Sequence, residues 1–152
     1  TPVADILKQL DLPNVNLPQN GQIYRNFRYK LGILEGNEDI PFANSFPLEA
    51  NCDYMHGVSF HKGCYIGQEL TARTHHTGVV RKRIMPILFE REIMTEIPND
   101  TLIYSSTSDK AIGKIRGVSK DAGIGLLRVT EALSSPLLKI LDYSATTFRP
   151  KR

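Results

Sequence analysis

The sequence predicts an α+β protein, with helices and loops up to about residue 81 and a small antiparallel β-barrel after it. Three observations predict this. Apolar residues in the first half recur at helical spacing, as in Ile23, Phe27 and Leu31. From Val79 onward they come in short runs separated by turn-forming clusters. Two cysteines among 152 residues cannot form a disulfide framework, so the fold must rest on a core.

The elements follow in order. Thr1 as an N-cap, Pro2 as a helix-starting proline and Val3, Ile6, Leu7 and Leu10 predict a first short helix that breaks at Pro13. Residues 12–20 contain Pro13 and Pro18 and read as a loop. Ile23, Phe27, Leu31 and Leu34, with Tyr24 beside them, predict a second helix ending near Gly32 or Gly36. Its aromatics Tyr24, Phe27 and Tyr29 alternate with Arg25, Arg28 and Lys30 in a way that superficially resembles RNA-binding surfaces, but helical spacing explains them more simply as core. The stretch GNEDIPFANSFPLEAN is loop-like, with Pro41 and Pro47 favouring extended backbone. Its Asp39 and Glu49 either face a ligand cavity or satisfy backbone amides. Val58 and Phe60 alternate with Ser59 and His61 as a short strand would, and Ile66, Leu70 and Arg73 then fit a helix reaching Gly78. Cys64 therefore falls where a strand or turn hands the chain to a helix.

Beyond residue 81, apolar runs cover Val79 to Glu90, Thr101 to Tyr104, Lys110 to Ser119, Ile124 to Thr130, Leu137 to Asp142 and Thr146 to Pro150. Turn signals separate them at Pro98-Asn99-Asp100, Ser105 to Asp109, Asp121-Ala122-Gly123 and Ser134-Ser135-Pro136. Five or six strands at this spacing suit a small antiparallel barrel. The expected division is residues 1–81 and residues 82–152.

Composition narrows the function classes. A hydrophobic fraction of 41% supports a core, and a net charge of +3 is too mild to demand a nucleic acid. The apolar run from Ile84 to Phe89 is short and interrupted by Pro86, so no membrane helix and a soluble protein are expected. Arg81, Lys82 and Arg83 open a strand, which alternates their faces and denies them one contiguous basic patch. The chain opens at Thr1 with neither a signal peptide nor an arginine-rich transit peptide, which suits a mature form or a piece of something longer.

Cys64 carries the chemistry to be explained. It precedes the expected helix, whose amides and dipole favour negative charge; Lys62 lies two residues before it; Gly63 allows close approach to the backbone. These features favour a thiolate, while a small buried hydrophobe in a glycine-shaped turn is the plain alternative. A Cys-His catalytic pair has four nearby histidines, His56, His61, His75 and His76, but no accompanying hydrolase signature. Cys52, His56, His61 and Cys64 are nominally four zinc ligands, yet their spacing lacks the close pairs that structural zinc sites use. An iron-sulfur cluster held by this chain alone would need four cysteines, for which two are too few, or two with two histidines in the Rieske style, whereas a cluster shared with a second protein needs only one or two ligands from this chain. His75 and His76 suit capping of the preceding helix, with a cluster ligand as the alternative; His61 either makes a structural hydrogen bond or tunes the thiolate. Cys52 lies outside the motif and suits a structural part.

The run Lys62-Gly63-Cys64-Tyr65-Ile66-Gly67-Gln68-Glu69 resembles the K-G-C-[FY]-x-G-Q-E signature of the YgfZ family, relatives of the glycine-cleavage aminomethyltransferase. Arg28 and Gly32, EGNEDIP and FPLEAN within 35–51, GVSF at 57–60 and LTARTHHTGVVRKR at 70–83 agree with it. The extended form is most similar to the mitochondrial, Iba-type members. The resemblance implies that residues 1–81 are the C-terminal portion of a folate-binding-type (GcvT/YgfZ-like) central α/β domain and that a C-terminal barrel follows. It implies a non-enzymatic assembly factor of the mitochondrial matrix, acting in the late maturation of 4Fe-4S proteins. Its partners would be A-type iron-sulfur scaffold proteins and a ferredoxin, with neither a membrane nor a specific nucleic acid. Cys64 would ligate a 2Fe-2S or 4Fe-4S cluster shared transiently with the partner. Gly63 and Gly67 would shape its loop; Lys62, Gln68 and Glu69 would hold that loop or meet the partner, with Tyr65 a further motif residue and His61, Arg73 and His75 auxiliary groups. Tetrahydrofolate belongs to the family's full-length architecture, and this chain alone is not expected to bind it tightly. A folate-dependent one-carbon enzyme is the alternative, but the aminomethyltransferase's catalytic acid has no counterpart here.

Overall fold

The computed structural model describes residues 21–42 and 45–150. The helix expected from Thr1 to Leu10 and the loop over 12–20 lie outside them. Six strands form a closed antiparallel barrel: β1 Lys82–Phe89, β2 Leu102–Ser105, β3 Ser108–Ser119, β4 Ala122–Arg128, β5 Leu138–Ile140 and β6 Tyr143–Thr147. Their order around the barrel is β1-β4-β3-β2-β5-β6. Closure leaves no long unpaired edge, the usual hazard of a small sheet.

Inward-pointing side chains fill the barrel, with Met85, Ile87, Ile103, Ile115, Leu127, Leu138 and Ile140 fully buried. β1 is buried on both faces because a second layer covers its outside, which is why it reads as the near-continuous apolar run IMPILF. Pro86 fits within this strand because pairing with β6 begins only at Ile87, and its carbonyl accepts a hydrogen bond from Thr147 Oγ1 at 2.7 Å.

The outer layer comes from helix α1, Gln22–Leu31, which Gly32 ends in the left-handed conformation at φ 72°. Tyr29, Leu34, Ala50, Ile84, Ala122 and Ile124 form the core beneath it. The expected apolar stripe is not the buried face: Ile23, Phe27 and Leu31 are 62%, 61% and 47% exposed, and Tyr24 is exposed too. Only Tyr29 of the three aromatics is core. The helix is rotated because Tyr29 must reach over Gly117 and the buried Arg28 must reach Asp39. Leu34 lies beyond the helix and enters the core from the following turn.

Three further departures have local causes. Within the expected loop, Gly36–Asp39 makes a one-turn helix, α2, which presents the Asp39 carboxylate to Arg28 Nη1 and Tyr29 Oη, both at 2.7 Å, and to the Glu35 amide at 2.9 Å. Asp39 is thus consumed internally. The Val58 to His61 strand does not form; these residues are bends and coil without a ladder partner. Val129–Ser134, expected to continue a strand and then turn, forms a short helix, α4, with no side-chain cap to announce it.

Candidate functional site

Helix α3, Gln68–His76, follows the cysteine motif as expected. Its start is built by a tight turn. The Tyr65 carbonyl accepts from the Gln68 amide at 3.3 Å, and Gly67 occupies the third position at φ 85°, ψ 5°. With Ile66 not at positive φ, this is a type II turn, whose third residue is normally glycine. Gln68 closes it from the other side, its Oε1 accepting from the Tyr65 amide at 3.2 Å. Lys62 Nζ sits 5.1 Å from the Tyr65 ring centroid, a cation–π contact that ties the two ends of the loop. Lys62, Tyr65, Gly67 and Gln68 therefore shape the cysteine loop, and they do so among themselves.

Cys64 is free and exposed in that loop. The backbone beside it is open: a side chain added at Gly63 or Gly67 would meet nothing within 4 Å. Ile66 next to it is fully exposed. Glu69 in the first turn of α3 and Arg73 in the last complement the helix dipole. His75 stacks on Phe60 with ring centroids 3.5 Å apart and planes 7° from parallel, and His76 meets His75 edge-on at 5.1 Å. The stack packs the end of α3 against the 57–61 segment. His61 lines a cavity of about 430 Å³ with His56, Phe60 and His75, away from any hydrogen bond to the cysteine loop.

The zinc array does not assemble. Among the described residues no three of His, Cys, Asp and Glu come together as a metal-binding group. Cys52 is half-buried beside the outer core, where burial and then the Asp53 charge push its thiol above the ordinary range. It is the structural cysteine of the two. The main-chain carbonyl of Glu49 accepts from the Ile84 amide at 2.8 Å, a bond that leaves its carboxylate uncommitted.

What the sequence reading missed is how the segment before the motif is anchored. Arg83 of the basic triplet is buried in β1 and makes a two-pronged pair with Asp53, both bonds 2.8 Å, while Nη1 also reaches the Leu48 carbonyl at 2.9 Å. The Tyr54 ring lies 4.1 Å from its guanidinium carbon. Asn51, left-handed at φ 62°, donates to the Ile84 carbonyl at 2.8 Å. Burial pushes the Asp53 carboxyl up, but its bonds to Arg83 outweigh that and hold it below its ordinary 3.8. A cation two residues into a strand beside an Asn-Cys-Asp turn was the available signal. Arg81 and Lys82 stay exposed, so the triplet forms no contiguous patch of three.

Comparison with known proteins places this geometry. Residues 81–152 match the family described as CAF17, C-terminal beta-barrel domain. The mitochondrial iron-sulfur cluster assembly factor IBA57 of Mus musculus is 45% identical over 117 residues, 76% of this chain and 32% of that protein. The Homo sapiens protein of the same name is 45% identical over 116 residues, 75% of this chain and 32% of its own. The mitochondrial IBA57 homolog of Mycosarcoma maydis is 59% identical over 80 residues, 53% of this chain and 20% of its own. The match spans about a third of the length of the mouse and human relatives. Residues 81–152 thus match the CAF17-type C-terminal barrel, and three quarters of the chain is similar to the mitochondrial IBA57 iron-sulfur cluster assembly factors.

Proposed function

We propose that this chain serves iron-sulfur cluster assembly for mitochondrial 4Fe-4S proteins in the matrix, with Cys64 giving a thiolate to a cluster shared with an A-type scaffold. One observation carries the ligand assignment. Cys64 is a free, exposed thiol on a turn with open backbone around it and no second metal-binding group assembled near it among the described residues. A cluster held by one protein needs four ligands, so a solitary accessible cysteine suits a cluster whose other ligands come from the partner. The thiol loses its proton to solvent as the Fe–S bond forms, and neither group changes oxidation state. Fusing two 2Fe-2S clusters into one 4Fe-4S cluster consumes two electrons, which this chain's side chains do not supply; a ferredoxin-type donor would provide them. The relatives' names as assembly factors support a role without catalysis by the chain. The helices and turns over 21–81 are read as the end of a folate-binding-type α/β domain, and tetrahydrofolate, if it serves the family, would need the rest of that domain.

The test is anaerobic reconstitution of this chain with an A-type scaffold carrying a 2Fe-2S cluster, comparing native protein with Cys64→Ser. Visible circular dichroism and native mass should show a cluster-bridged heterocomplex that the serine variant lacks. An identical complex in both removes Cys64 from ligation. Stoichiometric tetrahydrofolate binding to this chain in calorimetry would redirect the assignment to one-carbon chemistry.

A further inference from the structure

The chain's positive charge is unevenly placed. Residues 57–83 contain five basic residues, Lys62, Arg73, Arg81, Lys82 and Arg83, against one acid, Glu69, whereas the whole chain has 19 against 16. Only Arg83 of the five is buried and neutralised by an acid. The other four are exposed, with Lys62 in the cysteine loop, Arg73 on α3 and Arg81 and Lys82 lining a cleft beside α3.

Beside this charge is an apolar cleft of about 330 Å³ between α3, the 46–49 segment and the chain leading into β1. Leu70 and Thr74 line it from one face of α3, four residues apart on successive turns. Phe46 and Val79 form the opposite walls. Among the described residues nothing covers their apolar surface: Phe46 is 56% exposed, Leu70 53% and Val79 78%. Arg81 and Lys82 stand at its rim, both exposed, and neither has an ion-pair partner among the described residues. Glu49 is the one acid on its wall.

We infer that this cleft docks an acidic segment of the cluster-bearing partner protein, an aliphatic side chain seated between Leu70 and Val79 and flanking carboxylates on Arg81 and Lys82. The inference rests on the function proposed above. The apolar floor selects a side chain, and the net positive rim selects its charged neighbours. Glu49 and the scarcity of aromatic walls disfavour a nucleic-acid backbone, and a concave cleft disfavours a flat bilayer. The position explains its use: Leu70 lies in the first turn of α3, which begins four residues after Cys64, so a segment gripped there holds its protein against the cysteine loop.

The experiment measures anaerobic calorimetric affinity of this chain for a 2Fe-2S A-type scaffold at low and moderate salt, with visible circular dichroism recorded on each mixture. Val79→Asp should weaken binding by about tenfold or more, as expected for an apolar anchor at the centre of an interface. Arg81→Glu and Lys82→Glu should each weaken it by roughly three- to tenfold and flatten its salt dependence, as rim charges do. Lys110→Glu, the same charge change on exposed β3, should leave it unaltered. All four positions are exposed, and far-ultraviolet dichroism verifies folding. Cleft variants that bind within twofold of Lys110→Glu overturn the docking site, as does absence of binding by the unsubstituted chain. Loss of binding to phosphatidylserine vesicles with scaffold affinity retained overturns it also. Cys64→Ser tests the ligand assignment separately, through the cluster spectrum: the two can fail independently.

Discussion

Gly117→Ala should be among the most damaging small substitutions in this protein, because the site has no room and its neighbour is held in place. The added methyl would fall on Tyr29 Oη, with Cζ only 2.7 Å away, so the phenol must retreat by about an ångström to reach ordinary van der Waals contact. Tyr29 is 2% exposed and donates to Asp39 at 2.7 Å. Retreat breaks that bond. Losing a hydrogen bond to a buried carboxylate costs about 1.5–3 kcal/mol, and overpacking adds about 1–3 kcal/mol. The stiffer unfolded chain returns about 0.4–1 kcal/mol. The net expectation is roughly 2–5 kcal/mol, a large part of the ~5–15 kcal/mol typical of a domain. Urea denaturation should show a lower midpoint at unchanged slope. Tyr29→Phe, which removes the nearest atom and the bond together, should cost about 1.5–3 kcal/mol alone and, combined with the alanine, should absorb the hydrogen-bond part of its penalty while the crowding against Cζ at 2.7 Å remains. Additivity within about 0.5 kcal/mol, or a cost for Gly117→Ala below about 1 kcal/mol, would refute this account of the α1–barrel interface.

Asp53→Asn should destabilise by about 3–5 kcal/mol, since it leaves the buried Arg83 without its counter-charge; urea midpoints against wild type measure this. Because the folded Asp53 carboxyl is held below 3.8, its contribution is complete above that pH and is lost as pH falls through the lower folded value. An acid titration of thermal midpoints should therefore steepen below about pH 4 in wild type and be shallower in Asp53→Asn. The two glycines around Cys64 should behave differently: Gly67→Ala places an L-residue at φ 85° and costs about 1–2 kcal/mol of loop order, whereas Gly63→Ala meets open space at an ordinary backbone angle and should be silent. Hydrogen exchange of the Tyr65 and Gln68 amides distinguishes them.

The barrel was legible because its signals are local. Apolar runs bounded by Pro98-Asn99-Asp100 or by Ser134-Ser135-Pro136 are short-range chemistry, and closure follows from six strands with nowhere else to bury their inner faces. α4 was not legible: six residues without a capping side chain leave no period to read, and Val129 and Ala132 simply continue the apolar texture of β4. The two-residue alternation at Val58 and Phe60 misled for the opposite reason, since alternation describes a strand only where another strand supplies its hydrogen bonds. Phe60 instead spends its surface on His75.

α1 shows the sharper limit. Its period was right and its orientation wrong, because orientation was decided by polar groups that a hydrophobic count ignores. Tyr29 and Arg28 turn inward to meet Asp39, a carboxylate supplied by a one-turn helix ten residues later, and the Ile23, Phe27 and Leu31 stripe is turned outward as a result. The cysteine motif is the converse case. Its residue types pointed to the loop, and Gly67 and Gln68 do build the turn, yet no spacing rule shows that Cys64 stands apart from Cys52 and the histidines. Had Cys52, His56 and His61 converged on Cys64, the chain would hold its own metal; as folded, Arg83 holds the Asn51 to Tyr54 turn against β1, and the Cys64 thiol faces outward. A buried arginine in the barrel thus fixes the turn that carries Cys52, while Cys64 stays exposed in its own loop.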